Sequence, residues 1–119
     1  MQEVQVVFKK NKYSAKKTMV DNIIFDSKAE AEYYIMMKPT GMILELQPKV
    51  YMTRSKILLR ADFLIQEGDE KVWIDVKGHP TPVANLKKRL WKHYGPGLLR
   101  WVKKKGCGFE LLSETRGAG

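Results

Sequence analysis

The chain has 119 residues, 44% of them hydrophobic: enough for one core, too apolar for a disordered tail, and too short for a separate regulatory module. Its 22 Lys+Arg against 13 Asp+Glu give a formal charge of +9, which favours a polyanionic partner, most commonly nucleic acid. The single cysteine, Cys107, excludes a disulfide framework and a thiolate zinc site; with no long apolar span, basic amphipathic helix or signal-peptide pattern, the expected setting is the cytoplasm, away from membranes.

In chain order, residues 1–17 read as a strand over Val4–Phe8 and a basic arm; between Glu3 and Asp21 the chain carries Lys9, Lys10, Lys12, Lys16 and Lys17 and no acid. Thr18–Val20 and Ile23–Phe25 flank Asp21-Asn22, a short hairpin. A helix is expected from Ser27 to Lys38, capped by Ser27 and stopped by Pro39, with a turn through Gly41. Leu44–Met52 alternates, with Leu44, Leu46, Val50 and Met52 on one face and Glu45, Gln47, Lys49 and Tyr51 on the other. Ile57–Gln66 and Lys71–Lys77 are the next strands, joined by a hairpin loop over residues 67–70.

Thr81 and Pro82 suit the N-cap and first position of a second helix, which Gly95 ends. Val83, Leu86, Leu90 and Tyr94 form its apolar stripe, with Lys88 and Lys92 away from it. Leu98–Val102 is a strand, Phe109–Leu112 a last short element, and 113–119 a frayed tail. The order helix, three strands, helix, strand predicts a single α/β domain with its core over 18–112: a mixed β-sheet flanked by helices.

The chemistry concentrates in two adjacent strands. In the second, Val72, Ile74 and Val76 alternate with Trp73, Asp75 and Lys77, so Asp75 and Lys77 share a face. In the first, Leu58, Arg60 and Leu64 share the parity of Asp62 while Leu59, Ala61, Phe63 and Ile65 cover the other face. A carboxylate so enclosed needs a partner. Two carboxylates and a lysine converging on a sheet make a divalent-metal hydrolytic site, and the basic surroundings point to a nuclease. Ser27-X-X-Glu30 fits a capping box, yet Glu30 also aligns with Tyr33, Tyr34 and Met37 and so faces either its own helix start or the sheet. Glu32 is the alternative third carboxylate. His79 and His93 stand alone and are not read as zinc ligands. Trp73, Trp91 and Trp101 read as core or interface. Between Asp75 and Glu110 there is no acid at all. The expected DNA contacts are Lys16, Lys17, Gln47, Lys87, Lys88, Arg89 and Lys92.

Glu30 on the first helix, Asp62, and Asp75-Val76-Lys77 on the next strand together resemble the PD-(D/E)XK nuclease superfamily. The segments Phe25–Ala31 and Glu45-Leu46-Gln47-Pro48 resemble its small phage-encoded members, among them relatives of archaeal-type Holliday junction resolvases. The resemblance covers residues 18–105; one departure is Ala61, where a proline often precedes the first aspartate. It implies a restriction-endonuclease-like core (αβββαβ). In that core Glu30, Asp62, Asp75 and the Val76 carbonyl hold Mg²⁺, for which Mn²⁺ substitutes. Lys77 would orient or deprotonate the attacking water, and Lys88 would touch an outer phosphate. The implied products carry a 5′-phosphate and a 3′-hydroxyl. The implied activity is paired symmetric nicking of four-way DNA junctions, which are recombination intermediates, in the host-cell cytoplasm if the protein is phage-encoded. One short chain has room for one site, so a homodimer is expected, with Trp73, Trp101 and Phe109–Leu112 as apolar material for its contact. The rival expectations are another nicking or transposon-end-type endonuclease of the superfamily, a non-catalytic DNA-binding protein on the same fold, and an assembly subunit.

Overall fold

The computed structural model describes residues 6–10, 16–52, 57–78 and 81–118. The chain divides into two compact units, Met1–Gly41 and Met42–Gly119. In the first, β1 (Val6–Lys10), β2 (Lys16–Val20) and β3 (Ile23–Phe25) form an antiparallel sheet in that order. Asp21 and Asn22 turn the second hairpin with φ of 53° and 64°. Left-handed backbone at both central residues matches the strands' twist, and Asp and Asn tolerate it best after glycine. Lys16 and Lys17 lie in β2, in register with Lys10 and Lys9, so a paired strand replaces the expected arm there. Val4 and Lys12 fall outside the described residues.

α1 (Lys28–Met37) begins as expected: Ser27 Oγ accepts the Glu30 N–H at 3.1 Å. Pro39 sits in a 3₁₀ turn over Lys38–Thr40 that ends it. The Tyr34 hydroxyl and the Lys38 ammonium both donate to Asp21 Oδ2, tying the end of the helix to the hairpin turn. Phe25 packs on Tyr34 with ring centroids 5.2 Å apart.

The second unit contains β4 (Ile43–Leu46), β5 (Lys49–Met52), β6 (Ile57–Arg60), β7 (Phe63–Glu67), β8 (Glu70–Val76), α2 (Pro82–Tyr94), β9 (Leu98–Lys105) and β10 (Gly108–Arg116). Five strands form one sheet in the order β10-β9-β8-β7-β4, and β5 and β6 form a separate ribbon. Only β8 and β9 run parallel within the five-stranded sheet, which a crossover through α2 requires. The fold is therefore mixed α/β, as expected. Among the described residues no helix is long and apolar enough to cross a membrane.

Two expected strands are each broken in the middle. Leu44–Met52 splits at Gln47-Pro48: Gln47 adopts φ 50°, and Pro48 has no N–H to continue a ladder. Ile57–Gln66 splits at Ala61-Asp62. The two breaks lock together, the Ala61 N–H donating to Pro48 O at 3.1 Å and the Gln47 N–H to Asp62 O at 2.9 Å. The last element is also longer than expected: β10 reaches Arg116 with a register shift between Leu111 and Ser113. Ion pairs from Glu114 to Arg100 and from Arg116 to Glu70 hold the stretch expected to fray.

The stripe expected on α2 is corrected. Ala84 and Trp91 are buried, whereas Val83 and Leu86 are 63% and 53% exposed. Trp91 offers far more apolar area than either aliphatic side chain, and turning it inward rotates the helix. It joins Val50, Met52, Leu59, Ala84, Leu99 and Trp101 in one cluster, flanked by Trp73 and Tyr94. Its indole N–H donates to Gly97 O at 2.9 Å. A Cβ on Gly97 would come within 2.7 Å of the Trp73 ring, so only glycine lets the α2–β9 loop close over these rings.

Candidate metal centre and nucleic-acid interface

Asp62 lies at the bend between β6 and β7, and its backbone is anchored on both sides. Its N–H donates to Ile74 O of β8 and its C=O accepts from Gln47, both at 2.9 Å. Its carboxylate Oδ2 accepts the Val76 N–H at 2.8 Å. Register sets Leu64 opposite Trp73 and Trp73 opposite Leu99, with Asp75 opposite Trp101. Strand alternation therefore puts Asp75 on the α2 side of the sheet, with Trp73 and Trp101.

Both carboxyls are pushed up from the usual carboxylate range. For Asp62 the rise is to about 7, caused first by burial and then by the Asp75 charge. The Val76 N–H, Lys77 and Arg60 oppose it. Asp75 is also raised by burial, against the opposing pull of Lys77 and Lys87. The physical picture is a pair of enclosed carboxyls that cannot both ionise cheaply.

Lys77 follows β8 directly, its N–H bonded to Val102 O at 2.8 Å. Its Nζ is 3.5 Å from Asp75 Oδ2, both side chains being largely enclosed at 19% and 14% exposure. The same Nζ lies 5.3 Å from the Trp101 ring centroid, and Lys88 Nζ from α2 lies 5.0 Å from it. One ring thus carries two ammonium groups no more than about 10 Å apart. Beside them Leu59, Arg60, Ala61, Asp75, Lys87, Trp91 and Leu99 line an open hollow of ≈ 250 Å³.

The profile of a family described as a protein of unknown function (DUF1064) matches residues 10–106. The chain belongs to this family. No curated protein and no solved structure matches the chain.

In this DUF1064 chain the second unit brings together Asp62, Asp75, Lys77 and Lys88, with Lys87 at the same hollow. Val76 contributes through its N–H to Asp62, a role spacing did not suggest. Glu30 and Glu32 lie on α1 in the first unit, Glu30 buried at 8% exposure. Gln47 is the half-buried kink residue that braces Asp62 through its backbone. Arg89 and Lys92 are exposed on α2, and Lys17 on β2. His79 lies outside the described residues; His93 is exposed beside Tyr94. Among the described residues no three His, Cys, Asp or Glu side chains are grouped to hold a metal ion.

The donor set that is present still suits a hard cation. Two carboxylates supply oxygen only, and Mg²⁺ is commonly held by one or two carboxylates plus water and substrate phosphate. Asp62 commits Oδ2 to Val76, which leaves Oδ1 for a ligand. Two residues escaped the sequence reading. Arg60 lines the hollow and acts on Asp62, and Trp101 is the floor under both lysines. The block of basic residues gave no sign that Lys88 would turn inward over an aromatic ring.

Proposed function

We propose that the protein is a divalent-metal-dependent DNA endonuclease of the PD-(D/E)XK type, acting on branched DNA in the manner of a Holliday junction resolvase. The observation that carries this reading is the enclosed Asp62–Asp75 pair with Lys77 3.5 Å from Asp75, beside a helix with four Lys or Arg residues and no acid. A cation bound by Asp62 and Asp75 would neutralise charge on the scissile phosphate and acidify the attacking water. The resemblance supplies Glu30 as a third carboxylate and the Val76 carbonyl as a further oxygen.

The chain's own groups do the rest. Lys77, poised on Trp101, orients the water and stabilises the negative charge that develops on the phosphate. Lys88 holds a phosphate outside the reacting one. Lys87, Arg89 and Lys92 extend the cationic track along α2. The working form in this reading is a homodimer. Trp101 is buried and Trp73 packs 5.5 Å from Trp91, so of the apolar material named for its contact Leu111 and Leu112 on β10 are the exposed part.

The test is to incubate the protein with Mg²⁺ and labelled four-way junction, flap, duplex and single-stranded DNA. Metal-dependent cuts leaving 5′-phosphates are expected, strongest on branched substrates, and Asp75→Asn should lower cleavage by orders of magnitude while DNA binding survives. Wild-type rates from Asp75→Asn would mean the site is misassigned. The basic face of α2 serves equally one second reading, a DNA-binding protein without catalysis. Intact DNA affinity with no Mg²⁺-dependent cutting would establish it.

A further inference from the structure

The β5–β6 ribbon has two faces of opposite character. Val50, Met52 and Leu59 turn into the core, and alternation turns Lys49, Tyr51, Leu58 and Arg60 outward. Register sets Tyr51 opposite Leu58 and Lys49 opposite Arg60. Tyr51 is 74% exposed and Leu58 45%. A ring held that far into solvent contributes little to the fold. The buried alternate residues nevertheless pack the strand beneath it, so the ring stands on a strand seated against the core.

Arg60, at the end of β6, joins this face to the candidate site. Arg60 lines the hollow that also holds Asp75 and Lys87, and its charge acts on Asp62. The described ribbon strands, Lys49–Met52 and Ile57–Arg60, contain no acid. Two cations facing each other across the ribbon suit phosphates, and an aromatic ring beside an aliphatic side chain suits the flat face of a base. In continuous duplex those faces are hidden in the stack; unpaired or splayed bases expose them.

We propose that the outer face of the β5–β6 ribbon binds unpaired bases of DNA beside the cutting site. Tyr51 stacks on a base with Leu58 against its edge, and Lys49 and Arg60 hold the adjoining phosphates. This deepens the nuclease reading, rests on it for the neighbouring chemistry, and adds one feature to its branched substrates: bases unpaired or splayed beside the cutting site.

The experiment uses the full chain in EDTA, where cutting cannot intervene, and follows the anisotropy of labelled duplex, gapped duplex and flap. Tyr51→Ala should weaken binding to gapped and flap DNA on the order of tenfold to a hundredfold, with duplex affinity and melting temperature unchanged. Tyr51→Phe should keep the wild-type preference, and Lys49→Ala should lower the salt slope by roughly 0.9. Equal affinity of Tyr51→Ala and wild type for gapped DNA overturns the proposal, as does an equal loss on duplex. A change in oligomeric state by light scattering without a change in DNA affinity assigns the face to a second copy instead. Because binding is read without metal, the two readings fail separately. A wild type that prefers gaps yet never cuts with Mg²⁺ removes only the nuclease. One that cuts while Tyr51→Ala binds normally removes only the ribbon.

Discussion

Asp62→Asn separates the energetic cost of the site from its use. In the folded chain the Asp62 carboxyl is raised from 3.8 to about 7. A group that binds its proton more tightly when folded makes stability fall as pH rises. The loss begins near pH 4, where the unfolded chain ionises, and is complete above about pH 7. A rise of roughly three pH units corresponds to about 4 kcal/mol as an upper value. Asparagine keeps an oxygen to accept the Val76 N–H, removes the charge facing Asp75, and gives back part of the gain through desolvation of its amide. At pH 8 in EDTA the variant should be more stable by about 1–3 kcal/mol, or roughly 4–12 °C in melting temperature for a chain of this size. At pH 4 the two proteins should melt together. Mg²⁺ at pH 8 should stabilise the wild type and leave Asp62→Asn nearly unmoved. Thermal melts over pH 4–8, with and without Mg²⁺, give the answer. If the variant is no more stable than wild type at pH 8, or loses stability over pH 4–7 with the same slope, the enclosed-pair argument is refuted.

Glu30→Gln should lower Mg²⁺-dependent cleavage by orders of magnitude with little change in melting temperature; normal cleavage with a lowered melting temperature would make Glu30 a helix-capping residue only. Replacing Lys87, Lys88 and Arg89 by alanine should flatten the dependence of log K on log salt by roughly 0.9 for each side chain that touches a phosphate, without altering the preferred DNA structure. An unchanged slope would turn this face of α2 away from DNA. Gly97→Ala brings a methyl within 2.7 Å of the Trp73 ring and should cost about 1–3 kcal/mol in a urea melt through repacking of the Trp73–Trp91 pair; a neutral result would show that the loop is slack.

Much of this architecture was legible because it rests on local chemistry. Ser27, Pro39, Thr81 and Pro82 carry their conformational preferences wherever they stand, and both ends of α1 and the start of α2 lie at them. Asp21-Asn22 is a hairpin turn for the same reason. The alternation of Val72, Ile74 and Val76 with Trp73, Asp75 and Lys77 depends only on the pleat, so the shared face of Asp75 and Lys77 could be read directly. The face of α2 was not legible. Val83, Leu86, Leu90 and Tyr94 make a consistent stripe, yet the helix turns Trp91 inward, because the competing packing partners Trp73 and Trp101 arrive from distant strands. β10 was read as short because Ser113, Glu114 and Arg116 look like a tail. Their partners Arg100 and Glu70 are also distant in sequence.

The two broken strands carry the deeper point about the site. An unbroken strand through Asp62 would continue its alternation past Ala61, and Leu59 would then share a face with Phe63. Instead Leu59 joins the cluster of Trp91 and Trp101, while Phe63 stands opposite Ile74. The chain therefore changes face at Ala61-Asp62, and the bend sets the Asp62 carboxylate on the Val76 N–H. That bend is held by a second one, since Gln47 and Pro48 supply the donor and acceptor that Asp62 and Ala61 use. A left-handed Gln47 costs of order 1 kcal/mol in backbone strain, and the raised Asp62 carboxyl costs more. Both costs fall at one place. Conformational and electrostatic strain gathered around two carboxylates and a lysine is what the proposed nuclease reading calls for and what a purely structural ion pair does not need.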